Sequence, residues 1–511
     1  MMETRIILLI IVPLGTAFII PFIDLINAKL RRLFVLLGIF IQIFNLSSII
    51  VNYYEQIRDG SLFLQYHLGG WRPPFGINLV MDNLSFLFLL VVNLSLFFII
   101  IYSIGYVGHH EGKFYVLYFI IIAASNGAML TGDLFNMYVF IELLTIASGA
   151  LIAFQRSHPG SEAAIKYLFY NIVAGSLIFF GVLLTYFNLG TLTMADVANN
   201  FASLESGIQL FIISIFLTAL LIKMGVFPFL FWLPKSYDSS PAPVTAVLSG
   251  VLSKIYLYLF IRMIWTVIGF ETIVALNLNV LLLDIALFSS FLGHVFALQS
   301  NNIKRLLGYS SIGHIGMIFA VIMLNTEAGF YGGILHIIAH MFMKAGLFVA
   351  CGYLLQYTVS NHYRDFKGVG LRDKPVFIAF IILLLSMIGM PPLLGFASKW
   401  FILMAFLEAQ SYFGAFIVIF GSLTAVIYYL RYIAKGFEEV RLTEDDLKME
   451  VFNQPLLSVL YREKIVSFIT YAYTAVIIFF GFGFRFLDIP LRMSIESIMN
   501  VERYIELVLG G

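Results

Sequence analysis

Apolar residues run along this chain in blocks of helix length, separated by short clusters of charge, glycine and proline. A helix rising 1.5 Å per residue needs about 20 apolar positions to cross the ~30 Å hydrocarbon layer of a bilayer. The pattern predicts fourteen spans, at about 5–23, 33–50, 80–105, 114–131, 133–154, 163–187, 209–232, 242–267, 274–297, 306–324, 331–357, 375–403, 411–434 and 465–486. The expected fold class is therefore all-α integral membrane. The first block carries no small-residue cleavage site, so it reads as a retained helix and not a leader. One sizeable polar insert, EEVRLTEDDLKMEVFNQP, separates the last two spans, and the tail LRMSIESIMNVERYIELVLGG reads as a short amphipathic surface helix.

Composition narrows this further. Hydrophobic residues are 61% of the chain, charged residues 12%, and mean hydropathy is +0.96, far outside the water-soluble range. The single cysteine, Cys351, excludes a disulfide within the chain and a self-contained iron–sulfur cluster. The net charge of +1 says nothing about nucleic acid, no such partner is expected, and no soluble domain is large enough to hold a nucleotide. Lys and Arg fall unequally on the two sides: nineteen lie in the odd-numbered connections and seven opposite, among them Arg262. Cationic loops stay inside. The expectation is a multi-pass protein of the cell membrane with both termini outside and an even number of crossings.

A weak internal repeat is present. GVFPFLFWLPK from Gly225 aligns without gaps with GMPPLLGFASK from Gly389, sharing the Gly, a Pro, a Leu and the final Lys. The sixth and eleventh spans also match loosely around Gly181 and Gly352. Copies five helices apart are inverted in the membrane, a plan in which discontinuous helices sit at corresponding points of each half. Pro228 and the pair Pro391, Pro392 are the expected helix breaks, since proline removes a donor and frees a carbonyl. This divides the chain into 1–110 (three N-terminal helices), 111–270 (first repeat), 271–436 (second repeat) and 437–511 (loop, last span and tail).

Charges then stand out against the apolar background. Lys223, Lys254, Lys344, Lys399 and Glu142 all lie inside predicted spans. Each costs roughly 3 kcal/mol near the bilayer centre unless partners or internal water compensate. A Glu142–Lys223 pair in hydrocarbon is poised to gain or lose a proton when either partner moves; the alternative is a structural ion pair locking two helices. His336, His340 and Lys344, at i, i+4 and i+8, form one stripe rising about 12 Å, with His314 placed to face it. Histidine suits a stepping stone for protons. HxxxH is also a metal or haem spacing, but no acid or cysteine nearby completes a site, so neither metal nor cofactor is expected in this chain. A lone membrane histidine such as His294 is more often a helix–helix hydrogen-bond donor, and its role is left unassigned. His67, His109, His110, His158 and His362 read as solvent-facing loop residues.

Several ordered strings sharpen the picture: TGDLFNMYVFIELLTIAS, KYLFYNIVAGS, GTLTMADVA, FPFLFWLPKSYDSSPAPVTAVLSGVLSKIYLYLFIR, NNIKRLLGYSSIGHIGM, HIIAHMFMKAGLFVACG and GMPPLLGFASKW. Together they resemble the antiporter-like subunits shared by complex I, Mrp-type cation/proton antiporters and membrane-bound hydrogenases. The TGDLFN and GTLTMADVA strings, with LGGWRPPFGINLVMD upstream, look most like the D-type Mrp subunit and its hydrogenase and sulfur-reductase counterparts. The resemblance implies fourteen helices in which spans 4–8 and 9–13 are inverted repeats. It makes Glu142 the acid of span five, Lys223 its partner on broken span seven and Lys254 the lysine of the central relay. His314, His336, His340 and Lys344 continue a hydrated path to Lys399 on broken span twelve, where some members carry glutamate.

The function expected is proton translocation within a multisubunit membrane complex, beside antiporter-like and small Mrp-type subunits and with a soluble redox module as a further partner. Two rivals stay open: a self-sufficient secondary transporter, and a scaffold or quinone-site subunit that translocates nothing.

Overall fold

A computed structural model describes residues 4–107, 111–439 and 456–510. His109, His110 and the polar insert from Val440 lie outside that set. The chain is 83% helical, and among the described residues thirteen helices are long and apolar enough to cross a membrane unaided. They begin with α1 (Thr4–Asp24), α2 (Ala28–Asn52), α3 (Asn83–Tyr106), α4 (Glu111–Leu130), α5 (Leu134–Ile152), α6 (His158–Leu189) and α7 (Ser206–Met224). The short α8 (Trp232–Ser239) follows, then the long rod α9 (Ala242–Ile268). Next come α10 (Leu278–Gln299), α11 (Ile303–Ile322) and α12 (Glu327–Leu354). The twelfth expected span is two pieces, α13 (Lys374–Ile388) and α14 (Leu394–Glu408). Spans α15 (Tyr412–Phe437) and α16 (Leu456–Phe482) close the bundle, and α17 (Asp488–Met499) and α18 (Val501–Leu509) form the tail.

The two breaks share a cause. Helix α7 stops at Gly225 (φ +66°) and α13 at Gly389 (φ +96°), both left-handed caps that suit only glycine. Pro228 follows in the first gap, Pro391 and Pro392 in the second, and the chain resumes helix at Trp232 and Leu394. Lys235, which the repeat alignment matches to Lys399, lies near the surface and pairs with Glu162 at 3.4 Å.

Apolar side chains fill the core and also cover the outside, because the outer solvent is hydrocarbon. Phe18, Phe44, Phe169 and Phe187 point outward, while α9 is enclosed along its whole length and α12 from Gly329 onward. Helices α10 and α11 approach closely through small residues: a methyl on Gly293 would overlap the Gly313 backbone, and one on Gly316 would meet Ser290. That contact brings polar side chains of both helices to the interior.

Loop elements differ from expectation. The stretch before α3 is a hairpin, β1 (Phe63–His67) antiparallel to β2 (Asn78–Asp82), so His67 ends a strand and is half-buried. The pleat was hidden because the strands pair across a long connection, 68–77, rich in Gly and Pro, and neither has a repeat of its own. His158 opens α6, with Ser157 as its cap. The tail folds back on the hairpin side, where Phe63, Val80, Ala195, Tyr504 and Val508 form a small separate core.

Candidate functional site

Side chains that are costly in lipid meet inside the bundle. On α5, Glu142 and Thr145 lie one turn apart, and Lys223 approaches both from the last turn of α7. Its amine is 3.7 Å from Glu142 Oε1 and donates to Thr145 Oγ1 at 2.7 Å. Lys223 is fully enclosed, whereas the Glu142 side chain is 23% exposed, among the outward-facing Val139, Leu143 and Ile146. The pair therefore sits at the flank of the protein and not at its centre. Space for the carboxylate depends on Gly175 of α6, where a methyl would overlap Glu142 Oε1.

From Lys223 the polar row turns inward along α9. Its amine lies 5.9 Å from the ring centre of Tyr256, two residues beyond Lys254. Lys254 donates to Ser249 O at 2.5 Å and Ser253 Oγ at 3.1 Å. Ser249 Oγ is 3.1 Å from Ser311 Oγ of α11. The adjacent Ser310 accepts from Lys344 of α12, whose amine also reaches Leu307 O at 2.8 Å. These acceptors compensate the amines, since a hydrogen bond to a charged group is worth about 1.5–3 kcal/mol.

Four histidines continue the row. His314 Nδ1 is 2.9 Å from His336 Nε2, and His336 Nδ1 is 2.8 Å from Ser398 Oγ. His340 stacks on His314 at 5.0 Å between ring centres, and both its ring nitrogens are buried without a protein partner. His294, unassigned from sequence, joins the group: its ring lies 5.5 Å from His314 and its Nδ1 3.1 Å from Tyr428 OH. Tyr428 packs edge-on against Tyr429 at 4.5 Å, and Tyr429 OH is 2.9 Å from Ser310 Oγ. The tyrosines thus tie the histidines back to Lys344 by a second route. At the far end, Lys399 donates to Met387 O at 2.9 Å, Ile388 O at 3.1 Å and Ser422 Oγ at 3.0 Å. Among the described residues no carboxylate forms an ion pair with Lys399. Glu408 instead lines a surface cleft with Glu327, Arg485 and Arg492.

The eight residues singled out from sequence follow one another through the bundle, the step from Lys223 to Lys254 passing a small cavity that Lys223, Ser253 and Tyr256 line. Three cations counted with the loops are enclosed by protein. Arg262, Lys304 and Arg31 are buried. Arg262 pairs with Asp82, Lys304 donates to Ser240 O at 2.9 Å, and Arg31 bridges Asp24 and Glu111. Each sits toward a helix end, where a long cationic stem reaches back into protein; a count by residue type registers such a group as loop. The hydroxyls of Thr145, Ser249, Ser310, Ser311 and Ser398 were missed because Ser and Thr are cheap in a spanning helix, so they carry no sequence signal. No group of three or more His, Cys, Asp or Glu is placed to hold a metal among the described residues. Outside the spans, burial raises the Asp133 carboxyl above its usual range against the backbone N–H groups of Asn136 and Phe135, and burial likewise raises the Tyr504 phenol.

A bundle with two interrupted helices and a titratable row between them defines the class of antiporter-like membrane subunits. The family model described as "NADH:quinone oxidoreductase/Mrp antiporter, TM" matches residues 131–425, and the chain belongs to that family. It is 33% identical to NADH-quinone oxidoreductase subunit N of Desulforudis audaxviator, over 84% of this chain and 86% of that one. It is 29% identical to the D subunit of the Na(+)/H(+) antiporter of Bacillus subtilis, over 99% and 100%. Among solved structures, a chain of the archaeal membrane-bound sulfane sulfur reductase superimposes with a TM-score of 0.87 at 26% identity, covering 99% of this chain and 100% of that one. A chain of the Mrp complex from Dietzia sp. DQ12-45-1b shares the fold, with a TM-score of 0.86 at 23% identity and 99% of both chains covered.

Proposed function

We propose that this chain translocates protons as one subunit of a multisubunit membrane complex, with the row from Glu142 to Lys399 as its path. The supporting observation is the row itself: Glu142, Lys223, Lys254, Lys344, the histidines and Lys399 succeed one another through hydroxyls and rings at short spacing. A structural ion pair would need two of these residues and not all of them. Residues 111–270 and 271–436 serve as the two half-units, each supplying one discontinuous helix. The complex lies in the cell membrane with both termini of this chain outside, and its other members are antiporter-like and small Mrp-type subunits. A change of charge in a neighbour moves Glu142 relative to Lys223, and the shift passes inward to Lys254.

Lysine and histidine ends favour protons over sodium, which is better held by carbonyl and carboxylate oxygens. The test is proton-coupled transport by the intact complex in sealed vesicles. Glu142→Gln and Lys223→Ala should each abolish it in complexes that still assemble; unimpaired transport in either variant defeats the reading. Identifying the soluble subunits that copurify decides whether a redox module drives it.

A further inference from the structure

Helix α9 carries a second stripe that the row does not use. Lys254, Tyr258 and Arg262 recur at i, i+4 and i+8, so they share one face and descend about 12 Å from mid-membrane to the hairpin side. Arg262 Nε donates to Tyr258 OH at 2.9 Å, and Tyr258 OH donates to Met129 O at 2.6 Å. Arg262 Nη2 pairs with Asp82, while its Nη1 is buried without a partner. Asp82 also accepts the Ser85 N–H at 2.9 Å as the cap of α3. All four side chains are at least nine-tenths buried.

The lower end of the stripe is the roofed part of the protein. Hairpin pairs His67–Asn78, Gln65–Val80 and Phe63–Asp82 place these residues on a common face. On it, His67 Nδ1, Gln65 Nε2 and both amide atoms of Asn78 are buried without partners. Helix α18 packs over the outer end, with Tyr504 lying 5.8 Å from the Arg262 guanidinium. A cleft of about 30 Å³, bordered by Gly60, Phe63, Asp82, Ser497, Asn500 and Tyr504, leads from the surface to Asp82. Its volume admits one or two water molecules. The charged groups around it are Asp82, Arg262, Glu496 and Arg503, the last two paired with each other at 3.5 Å.

We infer that Asp82, Arg262 and Tyr258 form a proton mouth joining Lys254 to the hairpin-side surface, roofed by the hairpin and tail. The inference rests on the translocation reading above. Lys254 here points away from Tyr258, toward Ser249, so the limb is interrupted at one turn of α9. A turn of four residues rises about 6 Å, a span the lysine stem covers by swinging down. Transfer is by exchange: the neutral Lys254 amine takes the Tyr258 hydroxyl proton, and a hydronium ion drawn into the cleft by the Asp82 carboxylate returns a proton to Tyr258 through water beside Arg262, leaving a water molecule behind. Only N–H and O–H bonds change.

The experiment uses the intact complex in sealed vesicles of known orientation. Ser497→Cys, at the cleft border, is labelled with a membrane-impermeant methanethiosulfonate; native Cys351 is buried. Rates before and after labelling of the same sample are compared. Asp82→Asn is assayed beside it, because Asn still caps α3 but carries no charge. The expected result is an at least tenfold fall on labelling from the hairpin side, none on treatment from the other side, and a similar loss in assembled Asp82→Asn. If fully labelled Ser497→Cys and Asp82→Asn both transport within twofold of the untreated protein while Glu142→Gln is inactive, the mouth is wrong and the translocation reading stands. If Glu142→Gln is active as well, the reading itself falls. Should Asp82→Asn fail to assemble, the labelling comparison decides alone.

Discussion

The Lys223 amine lies nearer to Thr145 than to Glu142: it donates to the hydroxyl at 2.7 Å and stands 3.7 Å from the carboxylate. Both acceptors are on α5, one turn apart, so a small movement of the amine exchanges one for the other. In the position shown, the hydroxyl holds the amine and the carboxylate stands just beyond hydrogen-bond distance.

Removing the hydroxyl should therefore bias the pair without destroying it. Thr145→Val leaves Glu142 as the only acceptor and should slow transport roughly 2- to 10-fold, the rate equivalent of one hydrogen bond. Initial rates in vesicles, normalised to the amount of assembled complex, check this.

Gly175 makes room for the carboxylate. Gly175→Ala should push Glu142 off the amine and cut transport, with assembly retained. Gly15→Ala is the comparison, because a methyl there meets nothing within 4 Å; it should behave as the unmodified chain.

Two histidines of the cluster differ in what they hold. His336 bridges His314 and Ser398, so His336→Gln should lower the thermal stability of the complex by about 1–3 kcal/mol, the cost of partners left unpaired in the interior. His340 has no protein hydrogen bond to lose. His340→Gln should change stability far less, yet still reduce transport. Parallel melting and transport measurements on both variants separate the two roles.

Lys399 is surrounded by acceptors. Met387 O, Ile388 O and Ser422 suit an ammonium and repel a carboxylate. Lys399→Glu should lose transport here, whereas Lys399→Arg should retain part of it. Both are read in vesicles holding equal amounts of complex.

What the sequence disclosed follows from what lipid penalises. Fourteen apolar blocks, the prolines of both breaks and the five charges Glu142, Lys223, Lys254, Lys344 and Lys399 were legible because hydrocarbon makes every departure expensive. The division of span twelve into α13 and α14 followed from Pro391 and Pro392, and the left-handed Gly389 completes it. Three things were hidden. Hydroxyls such as Ser249 and Thr145 satisfy themselves within a helix and leave no pattern. Tyr428 and Tyr429 carry no signal of their own in an aromatic-rich span, and only packing against His294 and Ser310 shows their place. Arg262 was counted as a loop cation because its partner, Asp82, lies 180 residues away in the chain, a distance no local pattern bridges.

The central claim is that one titrating row carries protons between the two halves, and Lys254 is its middle. The most direct measurement is proton translocation by the intact complex carrying Lys254→Met, which keeps the apolar stem and removes the amine. Loss of translocation with normal assembly is the predicted result. Translocation at the unmodified rate would contradict the account.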